Sequence, residues 1–153
     1  MKLKLIIALA LGAVTTAAVA GEVEDQIRFR QSAYSFLGWN TAKIKAQAAD
    51  HPETFNKDQV IAAANAVAAV ANSGLLSLYG PGTDKGTGWK ATRLKPEFFE
   101  KQDEVKEIEA AFIKEANELQ KVAANGDAAE VKAQFGKVGA TCKSCHDLIR
   151  VRE

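Results

Sequence analysis

The C-terminal part of the sequence concentrates the side chains best able to do chemistry. Cys142, Cys145 and His146 lie in the run T-C-K-S-C-H-D-L-I-R, and the chain has only these two cysteines and one other histidine. Two thiols separated by two residues and followed by an imidazole form the C-x-x-C-H pattern of covalent haem attachment. The thiols add to the two vinyl groups of the porphyrin, and the imidazole meets the iron. The pattern predicts one haem c held through Cys142 and Cys145, with His146 as iron ligand.

Three other uses of a cysteine pair fit this sequence less well. A redox-active dithiol acquires a low thiol pKa at the start of a helix, whereas this pair is expected about four turns into one, beyond the helix dipole. A structural zinc site needs four ligands, and His51 is the only further histidine. A disulfide closing so short a loop would constrain the unfolded chain little. Haem attachment is the best interpretation of the motif.

Residues 1–20 have the features of an export signal. Lys2 and Lys4 precede an apolar run that is too short to span a bilayer, and Ala18-Val19-Ala20 offers small residues to a signal peptidase. Removing 20 residues from 153 leaves 133, the domain expected over residues 21–153. Because covalent haem attachment happens outside the cytoplasm, signal and motif together predict a periplasmic protein with no membrane association after cleavage.

The charge balance excludes one class of partner. Loss of Lys2 and Lys4 lowers the basic count from 20 to 18 against 19 acidic residues, so the exported chain would carry a formal charge of −1. Such a chain lacks the overall basic field that attracts nucleic acid or an anionic membrane. We therefore expect no nucleic-acid partner.

Apolar residues recur at helical spacing in four segments, and no segment alternates as a strand does. The segments cover approximately residues 22–49, 56–79, 96–125 and 127–150. Asn56 and Asp127 are expected N-caps, each with Gln or Glu three residues on, and Pro96 suits a first helical turn. The two short connections and one long one predict an all-α, antiparallel up-down-up-down four-helix bundle with haem near the C-terminal helix.

The donors that could complete the iron's coordination are few. Methionine and histidine are the usual second ligands of electron-transfer cytochromes, but Met1 is the only methionine and would leave with the signal. His51 lies 17 residues after Tyr34, or about 25 Å along a helix, so it is expected at the opposite end of the bundle in a solvent-exposed loop. The sequence therefore predicts a mainly five-coordinate, high-spin iron.

The same topology brings most of the aromatic residues to the haem end of the bundle. That end collects the start of the first helix, the end of the second, the long loop over 80–95 and the start of the third. The residues expected there are Phe29, Tyr34, Leu75, Leu78, Tyr79, Trp89, Phe98 and Phe99. Several of them are ordinary core residues, and a haem would become part of that core.

Three local matches show that the chain resembles the cytochromes c′, the class II c-type cytochromes. They are F-R-Q-S-A at 29–33, Y-G-P-G-T-D at 79–84, and G-A-T-C-K-S-C-H-D-L-I-R at 139–150. The resemblance covers essentially the whole of residues 21–153. It implies haem thioethers at Cys142 and Cys145, His146 as proximal ligand, and Arg150 as the basic residue beside that histidine, one helical turn on.

The resemblance also implies roles for residues of the first helix and the long loop. Arg30 and Gln31 match a pair near the haem propionates, and Asp84 matches a loop residue that also lies near the haem. Tyr34 matches the position over the distal face, where members carry an aliphatic or aromatic residue. Tyr34 could be a wall, a hydrogen-bond donor to a bound diatomic, or an iron ligand. Ligation needs a strongly perturbed pKa, because free phenol ionises near pH ~10.

The function implied is reversible binding of nitric oxide or carbon monoxide at an open distal face, together with one-electron redox change. The alternative is a six-coordinate, low-spin electron carrier without a gas-binding role. A haem enzyme such as a peroxidase is not expected, because Asp84 is the only loop carboxylate placed to act as an acid or base. The family also commonly forms homodimers through the first two helices. Redox partner proteins are possible but not identified by the sequence.

Overall fold

The computed structural model describes the backbone of residues 4–152 and the side chains of residues 21–152. Its four long helices are α1 (Lys4–Lys45), α2 (Lys57–Ala71), α3 (Gln102–Asn125) and α4 (Ala128–Ile149). A π-helical turn at Ala46–Asp50 follows α1, and 3-10 turns occupy Pro52–Thr54, Leu75–Leu78 and Pro96–Phe99. The predicted export signal over residues 1–20 lies outside the residues whose side chains are described.

The helices form an antiparallel bundle in which neighbours along the chain pack side by side. α1 contacts α2 and α4, α2 contacts α3, and α3 contacts α4. This arrangement confirms the predicted all-α fold. In the part of the chain that the structure describes, no helix combines the length and apolar character needed to cross a membrane.

The helix starts follow the capping chemistry of the sequence. The Glu130 amide donates to the Asp127 carboxylate and the Asp127 amide donates to the Glu130 carboxylate, both at 2.9 Å, so this capping box is confirmed. Asn56 accepts from the Gln59 amide at 3.0 Å. The Gln59 side-chain oxygen instead accepts a hydrogen bond from the Gln47 side-chain nitrogen. The Gln47 side-chain oxygen in turn accepts one from the Asn56 amide. Asn56 is therefore an N-cap without a reciprocal box.

Two predicted helix boundaries were wrong, both beside the long loop. α2 ends at Ala71, because the chain reverses at Gly74. Gly74 has a left-handed φ of 75°, a conformation that glycine adopts without steric cost. The 3-10 turn of Leu75–Leu78 follows it. The third helix begins at Gln102 rather than near Pro96, which starts only a separate 3-10 turn. These two 3-10 turns flank the loop and bring their aromatic residues to one end of the bundle.

The apolar core has two parts. The larger fills the bundle interior, where the alanine-rich face of α2 lets neighbouring helices approach closely. The members of this larger cluster include Leu37, Ile44, Val60, Ala64, Val67, Leu119, Val131 and Val138. The smaller lies at the loop end and consists of Leu94, Phe98, Val105 and Ile149. Cys142 packs against the larger cluster and Cys145 against the smaller. The attachment motif thus lies where the two clusters meet.

Candidate haem site

The attachment motif occupies the end of α4 that lies beside the smaller apolar cluster. Cys142 and Cys145 are free and half-buried, and His146 is solvent-exposed. Their spacing places both thiols within one helical turn, facing the boundary between the two clusters. This donor set fits a porphyrin attached along α4 with its ring entering the apolar boundary.

The electrostatics of the thiols differ from those of a reactive dithiol. Burial raises the pKa of the Cys142 thiol. Burial, followed by the proximity of Cys142 and Glu109, raises the pKa of Cys145 to about 11. Redox-active cysteines need the opposite shift, toward the thiolate. Within residues 21–152, moreover, no group of three or more His, Cys, Asp or Glu side chains could hold a metal ion.

His146 has a charged environment that favours the neutral imidazole. Partial burial lowers its pKa, Arg150 and Arg93 lower it further, and Asp147 opposes them. A neutral imidazole has a nitrogen lone pair available for a metal. The Arg150 amide donates to the His146 carbonyl at 3.1 Å, which closes the last turn of α4.

Arg150 lies one turn after His146, as the sequence predicted. It is the C-cap of α4, with extended φ and ψ angles of −110° and 129°. From this residue the backbone leaves the helix, and Arg150 pairs with Leu94. The charge of Arg150 lowers the pKa of His146.

The two tyrosines of the chain meet where the apolar clusters join. Tyr79 donates a hydrogen bond to the hydroxyl of Tyr34 at 3.0 Å, and the Tyr79 ring stacks on Phe98 with centroids 4.8 Å apart. Burial is the main reason that the pKa of Tyr34 is raised and that of Tyr79 reaches about 12. The thiol of Cys145 is near enough to influence both phenols. In this hydrogen bond the Tyr34 oxygen is the acceptor, so Tyr34 keeps its own hydroxyl hydrogen.

Arg30 is a buried cation whose partners in the described chain are neutral. Its side chain is 6% exposed. It donates to the Leu78 carbonyl at 3.3 Å, to the hydroxyl and carbonyl of Thr83 at 3.2 and 3.0 Å, and to the Thr92 hydroxyl at 2.9 Å. The guanidinium also lies 4.3 Å from the centre of the Tyr79 ring. Burial lowers the pKa of Arg30, and the guanidinium joins α1 to both ends of the long loop.

Gln31 fastens the same loop from the next position of α1. Its side-chain oxygen accepts the amides of Trp89 and Lys90 at 2.8 and 3.1 Å, and its nitrogen donates to the Lys90 carbonyl at 2.8 Å. The Trp89 indole donates to Ser32 at 2.8 Å. Arg30 and Gln31 therefore hold the loop in this structure.

Asp84 and His51 make fewer side-chain contacts than Arg30 and Gln31 do. Asp84 is half-buried and makes no hydrogen bond or ion pair with the residues described. His51 is exposed in the turn after α1, 3.4 Å from Glu53, which agrees with its prediction as a loop histidine.

Thr83 and Thr92 were missed by the sequence reasoning, because two hydroxyl residues nine positions apart have no local pattern that marks them as partners of Arg30.

Comparison with known proteins identifies the family. The sequence profile described as Cytochrome C′ matches residues 25–150, which is most of the chain. The chain belongs to the cytochrome c′ family. A curated cytochrome c′ from Rhodocyclus tenuis is 57% identical over 130 residues, covering 85% of this chain and 96% of that protein. The chain is therefore a haem protein by family, and its C-x-x-C-H motif agrees with haem c.

Solved structures extend the likeness to the fold. A cytochrome c′ described by its unusual ligand-controlled dimer dissociation is 52% identical, with a TM-score of 0.79 over 85% of this chain and 97% of its own. A variant of the cytochrome c′ of Alcaligenes xylosoxidans, solved as its nitric oxide complex, is 26% identical, with a TM-score of 0.74 over 86% and 97%. Dimer dissociation and nitric oxide binding belong to those two proteins.

Proposed function

We propose that this chain is a periplasmic haem c protein that binds nitric oxide and carbon monoxide at an open distal face. The haem is held by thioethers to Cys142 and Cys145, and His146 supplies the proximal ligand. When bound, the group provides an iron that changes oxidation state by one electron and accepts a diatomic ligand. The export signal expected over residues 1–20 supports the periplasmic location.

The observation that carries this proposal is the set of donors around the motif. His51, the other histidine of the chain, is exposed beyond the far end of α1. Near the motif, the phenols of Tyr34 and Tyr79 hydrogen-bond to each other at 3.0 Å, with Tyr34 as the acceptor. Because Tyr34 is engaged in this contact, we assign it to the wall of the distal face and leave the distal position to a small molecule.

The residues of the site then have separable tasks. His146 offers its lone pair, and Tyr34 forms the wall that an incoming diatomic must pass. Arg30 and Gln31 hold the long loop against α1, and the resemblance matches them to a pair near the haem propionates. The nitric oxide complex of the Alcaligenes protein supports the choice of ligand.

Stoichiometric binding fits the site better than catalytic turnover. Turnover of peroxide needs a distal group that moves protons. Asp84 is the loop carboxylate considered for that task, and no described partner orients it toward Tyr34. We propose a binding and one-electron role without enzymatic activity.

Homodimerisation is part of the proposal, and α1 supplies a surface for it. Phe29, Phe36 and Trp39 are 61%, 51% and 60% exposed and follow one another along α1 at helical spacing. Large exposed apolar residues in a row mark interaction surfaces. We define Phe29, Phe36 and Trp39 as the α1 stripe and propose that it is buried between two copies of the chain.

An optical spectrum of the haem-loaded protein, ferric and ferrous, with and without nitric oxide, tests the proposal. A broad high-spin ferrous Soret band that shifts with the gas is expected. A sharp low-spin spectrum indifferent to the gas would instead establish the six-coordinate electron carrier. His51→Gln and His146→Gln make a matched pair, because only the second should alter the ferrous spectrum.

A further inference from the structure

The inner face of α3 carries one charged residue among apolar ones. The members of this face follow one another at alternating spacings of four and three residues, which is the pattern of a helix packed in a bundle. We define the α3 stripe as Val105, Glu109, Phe112, Ala116, Leu119 and Ala123. Four of its apolar members are at most 3% exposed, namely Val105, Ala116, Leu119 and Ala123. Glu109 is half-buried, so a carboxylate occupies a position that the rest of the stripe fills with apolar side chains.

Glu109 lies where the α3 stripe passes from one apolar cluster to the other. Val105, one turn before it, belongs to the smaller cluster, against which Tyr79 and Cys145 pack. Phe112, almost one turn after it, packs against the larger cluster. Glu109 is therefore at the boundary into which the porphyrin ring is expected to enter.

Two groups of the haem site are influenced by the charge of Glu109. Burial is the main reason that the pKa of Cys145 rises to about 11 and that of Tyr79 to about 12. The Glu109 carboxylate adds to the rise in both. The negative charge thus lies close to a haem-attachment sulfur on α4 and to the phenol that donates to Tyr34.

The carboxylate of Glu109 has no direct partner that would neutralise it. Among the residues that the structure describes, it makes no hydrogen bond and no ion pair. A cation also faces the Tyr79 ring, since the Arg30 guanidinium lies 4.3 Å from its centre, but Arg30 donates to the long loop. A half-buried carboxylate without a partner lowers stability, and such positions are commonly retained for function.

We propose that Glu109 is a specificity-determining residue of the haem site, because its negative charge favours ferric iron over ferrous iron. One electron from an external donor makes the haem more negative, so a nearby carboxylate opposes reduction without any bond forming or breaking. Carbon monoxide binds only ferrous iron, whereas nitric oxide binds both oxidation states. A lower reduction potential therefore biases the site toward nitric oxide. This inference rests on the proposed function for the presence of the haem and for its ligands.

The first test measures the midpoint reduction potential of the haem-loaded protein by spectroelectrochemistry. Glu109→Gln removes the charge and keeps the approximate shape, and Glu109→Asp keeps the charge. Glu107→Gln is the matched control, because Glu107 is an exposed carboxylate two positions away on the same helix.

Glu109→Gln should raise the potential by about 59 mV, which is a tenfold change in the equilibrium constant for one-electron reduction. Coulomb's law gives an effect of this size for a unit charge about 12 Å away at an effective dielectric constant of about 20. Glu109→Asp and Glu107→Gln should each leave that equilibrium constant within about twofold. The affinity of the fully reduced protein for carbon monoxide should also stay within about twofold in Glu109→Gln, since the ring that forms the distal wall is untouched.

Equal shifts in Glu109→Gln and Glu107→Gln would overturn the proposal, because an exposed carboxylate would then matter as much as the one at the boundary. An equal shift in Glu109→Asp and Glu109→Gln would also overturn it, since packing rather than charge would be responsible.

A second measurement locates the charge without use of the iron. The chain has two tyrosines, so phenolate absorption in a Tyr34→Phe background follows Tyr79 alone. Adding Glu109→Gln should move this titration to lower pH, because the carboxylate helps to keep the phenol protonated. Adding Glu107→Gln should not move it. A titration that Glu109→Gln leaves in place would show that the carboxylate does not act at the site, and the proposal would fail.

Failure of this inference is distinguishable from failure of the proposed function. A wild-type protein that binds gas, with the same potential in Glu109→Gln, would overturn the role of Glu109 alone. A low-spin wild-type spectrum indifferent to gas would overturn the proposed function and the bias toward nitric oxide with it.

Discussion

The hydroxyl groups of Tyr79 and Tyr34 are 3.0 Å apart, with Tyr79 as donor, and this contact joins the loop end of the bundle to α1. Tyr34 packs with the larger apolar cluster and Tyr79 with the smaller. Arg30, one turn before Tyr34 on α1, lies over the Tyr79 ring. The residue expected over the distal face is therefore held by the first residue of the Y-G-P-G-T-D match at 79–84.

Substitution of Tyr34 should separate its role as a wall from its role as a donor. Tyr34→Ala removes the ring, and we expect carbon monoxide to associate with the ferrous protein about tenfold faster, equivalent to roughly 1.4 kcal/mol of barrier. Tyr34→Phe keeps the ring and should leave the association rate within about threefold. Laser photolysis with rebinding measures both rates.

The dissociation rate tests the hydroxyl separately. If Tyr34→Phe accelerates loss of carbon monoxide as much as Tyr34→Ala does, the hydroxyl stabilises the bound ligand and Tyr34 is chiefly a donor. His51→Gln is the control, since that side chain lies in the exposed turn after α1 and should leave both rates unchanged.

The contact between the two phenols should be measurable as a coupling free energy. Tyr79→Phe removes the donor while keeping the ring that stacks on Phe98. We expect a loss of about 1 kcal/mol in the free energy of unfolding, the usual net value of one hydrogen bond. In a double-mutant cycle with Tyr34→Phe, the second substitution should cost little once the first is made. Fully additive losses in urea denaturation would show that the two hydroxyls do not interact.

Stability at alkaline pH should depend on Tyr79. An unfolded tyrosine ionises near pH ~10, whereas the folded pKa of Tyr79 is about 12. The unfolded chain releases this proton at a lower pH than the folded chain does. The contribution of Tyr79 to the free energy of unfolding is therefore complete below pH ~10, and roughly 2 kcal/mol of it is lost as pH rises toward the folded pKa. Urea denaturation from pH 8 to 12 should show that the free energy of unfolding falls less steeply with pH in Tyr79→Phe than in the wild type. An identical decline in both proteins would contradict the buried position of this phenol.

Local patterns in the sequence predicted the parts of the structure that depend on neighbouring residues. Helical periodicity, the Asp127 capping box and the position of the attachment motif on α4 each involve residues within one or two turns. The Arg30 partners could not be found in this way, since Leu78, Thr83 and Thr92 lie 48 to 62 residues away. The end of α4 also involves a distant residue, because its C-cap Arg150 pairs with Leu94.

Loss of Arg30 should open the long loop. Arg30→Met leaves the Leu78 and Thr83 carbonyls and the Thr92 hydroxyl without this donor in a buried site. We expect the free energy of unfolding to fall by about 3 kcal/mol, since hydrogen bonds from a charged donor are strong and buried acceptors are costly to leave unpaired. Hydrogen exchange should accelerate in the amides of 83–95.

Arg28→Met is the matched control for this substitution. Arg28 lies two positions away on the same helix, but it pairs at the surface with Asp25 and lies 5.2 Å from the Trp89 ring. Surface ion pairs contribute little, so a loss of about 0.5 kcal/mol is expected. Equal losses in the two variants would mean that the buried hydrogen bonds of Arg30 do not hold the loop.

The proposed dimer predicts unequal effects for two exposed tryptophans. Trp39 belongs to the α1 stripe, stacks with Phe36 at 6.2 Å between ring centres, and has the Lys43 ammonium 3.8 Å from its own ring centre. Trp89 is similarly exposed but lies on the long loop. A tryptophan at the centre of an interface typically contributes 2 kcal/mol or more, and a homodimer loses two of them, so Trp39→Ala should raise the dimer dissociation constant about a thousandfold. Trp89→Ala should leave that constant nearly unchanged in sedimentation equilibrium. A stronger effect of Trp89→Ala would locate the interface on the loop rather than on α1, whereas a monomeric wild-type protein at all concentrations would exclude the dimer.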